Sequence, residues 1–168
     1  MIARLEEIRT GLEEGPFSER SLFSAETSEK QLQLWLAAKF RDTQNCRFSV
    51  HREEEVDDDK KTDIQLSSRV WNVCVEIKPV DATRSYSANS LTDTLRTQIV
   101  EQYLKGKNSS RGILVLMQLD RKTWDIPGGK KGQPFDALVE YLEQQAQRIK
   151  EGSPGVNELI VFPMRCVI

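Results

Sequence analysis

The chain has 168 residues, 38% hydrophobic and 30% charged, which is the size of one domain with a core burying about two-thirds of the unfolded surface. No apolar run approaches the ~20 residues that cross a bilayer, and the start, MIARLEEIRTGLEEG, is too acidic for a signal peptide, so a cytoplasmic protein without a membrane segment is expected. A net charge of −2 and a pI near 5.6 argue against a uniformly basic nucleic-acid binder, and the single histidine, His51, disfavours zinc sites and histidine-based hydrolysis.

Residues 2 to 14 place Ile2, Leu5, Ile8 and Leu12 at helical spacing before Gly15-Pro16, which predicts an amphipathic helix docked on the core or on a partner. After a polar connection to Ser24, a second helix is capped by Thr27 or Ser28 and buries Leu32, Trp35, Leu36 and Phe40. Glu29, three and seven residues before Leu32 and Leu36, shares their face and points toward the sheet. It either serves a site there, with Glu26 as the fallback, or complements the helix dipole.

Residues 46 to 56 predict a strand with Phe48 facing away from the residues that flank Val50. Its end runs into Glu53-Glu54-Glu55 and Asp57-Asp58-Asp59, which lack the glycine and final glutamate of an EF-hand and read as a solvated hairpin tip. Next comes a hairpin from Lys61 to Val80, with Asp63 to Leu66 as one strand, Ser67-Ser68-Arg69 as the turn and Val70 to Val80 as a second, central strand.

A polar loop follows, then a helix from about Ser90 to Gly106 with Leu91, Leu95, Gln98 and Gln102 on one stripe. Gln98 is an uncharged polar group on the inward side, and Tyr103 either supports a site or packs. After the strand Gly112 to Met117, Trp124 sits in a loop of breakers and cations, where it stacks on a base or covers the core. The glycines of that loop do not match GxxxxGKS/T, which disfavours nucleoside triphosphates.

A helix from Pro134 to Lys150 buries Phe135, Leu138, Leu142 and Ile149 and stops at Gly152-Ser153-Pro154-Gly155. The last strand, Leu159 to Phe162, runs on toward Val167-Ile168 after Pro163, at a sheet edge. Lys60-Lys61, Lys105, Lys107, Arg111, Arg121-Lys122 and Lys130-Lys131 fall near element ends, as a basic rim for phosphates or as solvated surface. Cys46, Cys74 and Cys166, far apart and odd in number, read as reduced packing residues.

The chemistry concentrates in the hairpin. Alternation puts Val73, Val75 and Ile77 on one side of the central strand and Cys74, Glu76 and Lys78 on the other. Charges on an apolar strand are costly unless paired or bound to a cation. Asp63 and Glu76 converging beside Lys78 suit a hard divalent metal such as magnesium, which takes oxygen ligands.

Asp63, the spacer and Glu76-Ile77-Lys78 resemble the active-site motif of the PD-(D/E)xK superfamily of restriction-endonuclease-like nucleases, with Thr62 in place of the usual proline. The resemblance implies an α/β fold with an αβββαβ core over residues 24 to 119. That core is a mixed central sheet flanked by helices, with the helix of residues 1–15 before it and a C-terminal helix and strand at 133–168, all in one domain. It implies a magnesium-dependent deoxyribonuclease in which manganese substitutes. Asp63, Glu76, the Ile77 carbonyl and Glu29 would hold the metal, Lys78 would position or activate water, and Gln98 would steer water or substrate. DNA is the implied partner, with room for a homodimer or a larger protein partner in a bacterial defence or DNA-processing system. The alternative is a nuclease-like fold that binds nucleic acid, or serves as a scaffold, without catalysis.

Overall fold

In the computed structural model, which describes residues 1–14, 18–44, 47–57, 60–106 and 108–167 (residues 53–57, 60 and 61 by backbone alone), five strands lie across one sheet in their chain order. They are β1 (Ser49–Asp57), β2 (Lys60–Ser67), β3 (Asn72–Val80), β4 (Ser109–Gln118) and β5 (Glu158–Arg165). The pairs β1-β2 and β2-β3 are antiparallel, and β3-β4 and β4-β5 are parallel, so the protein is α/β with a mixed sheet. β3 is central and β5 is an edge, as the sequence predicts. Parallel neighbours need crossovers, and these are helical. Helix α3 (Ala88–Asp93) and a π-helix (Thr94–Tyr103) link β3 to β4, and α4 (Phe135–Glu151) links β4 to β5.

Alternation along β3 and β4 builds two cores. Val73, Val75, Ile77, Ile113, Val115 and Met117 meet α1 (Ile2–Glu13) and α2 (Glu29–Thr43) through Leu5, Leu12, Leu32, Leu36 and Phe40. Cys74, Leu114 and Leu116 meet Leu91, Leu95, Ile99, Leu138 and Leu142 on the other face. Each fully buried aliphatic contributes roughly 1.5–3 kcal/mol. Strands covered on both faces read as near-continuous apolar runs, so a charge in β3 stands out.

Ser28 starts α2 with a full capping box to Gln31, which settles the choice of cap. The stripe is Leu32, Leu36 and Phe40, while Trp35 is half-buried, edge-on to Phe23 and donating to Glu19 at 2.6 Å. The first turn of the polar connection is a 3-10 helix, Glu19–Leu22.

Three boundaries differ from expectation. The hairpin turn lies at Ser68–Trp71, because the Ser68 hydroxyl accepts from the amides of Val70 and Trp71. Val70 is therefore exposed, outside β3. The helix expected from Ser90 is α only to Asp93 and π beyond. Thr92, Thr94 and Thr97 donate to the carbonyls four residues back, which loads acceptors that an α-helical ladder would use. The last strand passes through Pro163, which an edge strand tolerates because one side needs no donor.

Trp124 covers the core, 3% exposed and against Phe135, so it offers no face to a base. Lys122 donates to the carbonyls of Arg84 and Tyr86, and Arg111 pairs with Glu158 at the surface. Cys74 and Cys166 are buried free thiols, each pushed up to about 12 by burial. Gly15-Pro16, Cys46, Asp58-Asp59, Lys107 and Ile168 lie outside the described residues, as do the side chains of Glu53 to Asp57, Lys60 and Lys61. Among the described residues no helix is long and apolar enough to cross a membrane.

Candidate metal centre

Glu76 and Lys78 project from β3 on the second-core face, 1% and 7% exposed. Charges so deeply buried must be paired. The Lys78 ammonium lies 2.7 Å from Glu76 Oε1 and 3.2 Å from Glu29 Oε1. Gln98 Nε2 donates to Glu76 Oε1 at 2.7 Å and to the Tyr103 hydroxyl at 2.8 Å.

Asp63 joins where β2 parts from β3. The two strands pair from Ser67-Asn72 to Ile64-Val75. Beyond that point the buried Thr62 hydroxyl donates to the carbonyls of Ile64 and Val75. The Ile77 amide, which a continuing ladder would have used, donates to Asp63 Oδ2 at 2.8 Å. Gln33 Nε2 holds the other oxygen, Oδ1, at 2.6 Å.

All five residues singled out from the sequence for their side chains, Glu29, Asp63, Glu76, Lys78 and Gln98, therefore meet in one network fed by four elements. Ile77 enters it through its amide. Glu26 stays exposed and outside, and Gln102 is not among the partners. Sequence reading missed Gln33 and Tyr86. Gln33 lies one turn after Glu29 at i+4, so that spacing was the available signal. Tyr86, whose hydroxyl donates to Glu29 Oε2 at 3.3 Å, comes from a loop with no periodicity.

That loop is tied down. Asp81 accepts from the Thr83 and Arg84 amides and pairs with the Arg84 guanidinium. Arg84 in turn donates to the carbonyls of Ala25 and Thr27, just ahead of α2. The end of β3 thereby fixes the helix start that carries Glu29.

Glu29, Asp63 and Glu76 each offer a carboxylate oxygen within 4.8 Å of the others. Glu76 Oε2 is buried and without a hydrogen-bond partner, although a buried carboxylate oxygen normally has one. Three carboxylates face one ammonium, and all the donor atoms are hard oxygens. The residues thus fit a divalent cation of the magnesium or manganese type.

Burial and then the Glu76 carboxylate push the Asp63 carboxyl up to about 8. Glu76 is also raised, by burial against the opposing pull of Lys78. Burial disfavours the Lys78 ammonium, but Glu76 and Glu29 outweigh it and hold the amine above its ordinary range, so it stays charged.

Folded Asp63 thus keeps a proton that the unfolded chain, with a carboxyl near ~3.9, has released by neutral pH. Its contribution to stability is complete below about pH 4 and is lost as pH rises through about 8. Without metal, the melting temperature is expected to fall between about pH 5 and pH 9 from this group. Manganese uptake at neutral pH should displace about one proton. Titration calorimetry in two buffers of different ionisation enthalpy reads that proton; none released would mean that the metal does not reach Asp63.

No family model, no curated protein and no solved structure matches this chain significantly. Fold and site together define an α/β protein with a three-carboxylate cluster able to hold a cation beside a buried lysine.

Proposed function

We propose that this protein is a metal-dependent nuclease of the PD-(D/E)xK kind, hydrolysing DNA phosphodiester bonds, as a module of a bacterial defence or DNA-processing system. One observation carries the reading. Asp63, Glu76 and Lys78 share a buried cluster with Glu29 and Gln98, and one oxygen of Glu76 is left without a partner. The order α2, β1, β2, β3, helix, β4 supports it as well.

Asp63, Glu76 and the Ile77 carbonyl would hold the metal, and Glu29 would complete its shell. A divalent cation bound there polarises a phosphoryl oxygen and makes water more acidic. Lys78, charged at neutral pH, presents an ammonium that orients the attacking water or stabilises the charge that develops on the phosphoryl oxygens. Gln98 fixes the Glu76 carboxylate and Gln33 fixes Asp63, so neither has to reorganise during the reaction.

The second reading, a nucleic-acid-binding or scaffold domain without catalysis, draws on Lys78, whose ammonium already pairs with Glu76 and Glu29 without a metal. A panel of plasmid, linear and single-stranded DNA with magnesium or manganese separates the two. Metal-dependent cleavage is expected from the parent chain, falling at least about 100-fold in Asp63→Ala. Cleavage that survives this substitution would sink the nuclease assignment.

A further inference from the structure

Tyr86 enters the acidic network from a loop, and it touches two members at once. Its hydroxyl donates to Glu29 Oε2 at 3.3 Å, and the Lys78 ammonium lies over its ring, 5.9 Å from the centroid. The backbone around it is fixed on both sides. Lys122 Nζ donates to the Tyr86 carbonyl at 3.3 Å, and the next residue, Ser87, opens α3 with a full capping box to Ser90. A side chain anchored in this way holds its position before anything binds.

Glu29 needs such an anchor more than Glu76 does. Its side chain is 32% exposed, against 1% for Glu76, and it projects from the first turn of α2, so packing leaves the carboxylate free to turn. Its other oxygen, Oε1, is held by Lys78 at 3.2 Å. That partner is a cation, and it competes with an entering metal for the same oxygen.

The other two carboxylates are held by neutral donors, which do not repel a metal. Asp63 accepts from the Gln33 amide and the Ile77 backbone, and Glu76 accepts from the Gln98 amide. For Glu29 the Tyr86 hydroxyl fills that place. A neutral donor on a ligating carboxylate fixes its orientation and leaves its charge to the cation.

We propose that Tyr86 is a positioning residue of the metal centre, whose hydroxyl keeps the Glu29 carboxylate turned into the cluster when a divalent cation binds. The proposal rests on the metal half of the nuclease reading and is independent of cleavage. It gives the loop after β3 a task in metal binding: the Asp81–Arg84 staple sets the start of α2, and Tyr86 sets the side chain that this helix start carries.

The test is a double-mutant cycle on manganese affinity, with no DNA present. Tyr86→Phe keeps the ring on Lys78 and removes only the hydroxyl, and it is expected to weaken manganese binding at least about threefold. In a Glu29→Ala background the same substitution should change nothing, because the carboxylate it acts through is gone. Free manganese counted by electron paramagnetic resonance reads both backgrounds, including the weak binding that Asp63 and Glu76 alone would give. A cooperative melt checks that each variant is folded. Equal affinity in Tyr86→Phe and the parent would overturn the proposal and leave the nuclease reading intact. A loss of the same size with and without Glu29 would overturn it too, since a merely structural role weakens both backgrounds alike. No manganese binding by the parent chain would overturn the metal reading and the proposal together, whereas a parent that binds manganese and cuts no DNA would overturn the nuclease reading alone.

Discussion

DNA cleavage is expected to fall by about 10²–10⁴ when Lys78 becomes methionine, while manganese binding tightens at least about tenfold. The two effects point in opposite directions because Lys78 has two roles. Its ammonium bridges Glu76 Oε1 and Glu29 Oε1 and is already a cation among the carboxylates. A metal entering the same cluster shares those oxygens with it. Methionine keeps most of the volume and removes the competing charge, so the carboxylates are freed for the metal.

The metal-free variant should be less stable than the parent chain, since removing one partner of a buried pair leaves an uncompensated charge. Manganese should then raise its melting temperature by more than it raises the parent's. Scanning fluorimetry with and without manganese, alongside the cleavage assay, measures both. Weaker metal binding in Lys78→Met would refute the competition, and undiminished cleavage would refute the catalytic role.

A second large effect is expected outside the acidic cluster, at Gly112. A methyl group there would sit 2.3 Å from Ile99 Cγ2 and 3.3 Å from Leu159 Cδ1. Both neighbours belong to the second core, so neither can swing into solvent. Gly112→Ala is expected to cost about 1–3 kcal/mol, or about 2–12 °C in melting temperature. Ile99 follows Gln98 directly, so pushing the π-helix off β4 also draws the Gln98 amide away from Glu76. Cleavage should therefore drop more than the fraction of folded protein explains. A matched melt and single-turnover assay reads the difference, and an alanine variant as stable and active as the parent would mean that the π-helix tolerates a shift.

Much of this was legible in the sequence because it depends on local period. The two faces of β3, the central position of that strand, the edge position of the last and the inward aim of Glu29 and Gln98 follow from alternation and helical spacing. What escaped depends on side chains that act on the backbone or on distant loops. The Ser68 hydroxyl moved the hairpin turn past Val70 against its strand propensity. The helix is π after Asp93, which changes the residues that share a face with Gln98. Tyr86 reaches Glu29 only because Arg84 staples its loop to the start of α2, a contact across more than fifty positions. Lys122 and Arg111 look free in a list of charges, yet Lys122 is held by the carbonyls of Arg84 and Tyr86 and Arg111 pairs with Glu158 at the surface.

The bond from the Ile77 amide to Asp63 Oδ2 has a practical use. An amide proton shared with a carboxylate feels the charge on that carboxylate directly, so its resonance moves when the carboxyl gains a proton or gives its lone pairs to something else. The chain thus carries its own gauge in the nuclear magnetic resonance spectrum. One backbone signal, in the middle of the central strand, reports the occupancy of the acidic cluster without an attached probe, a substrate or a turnover.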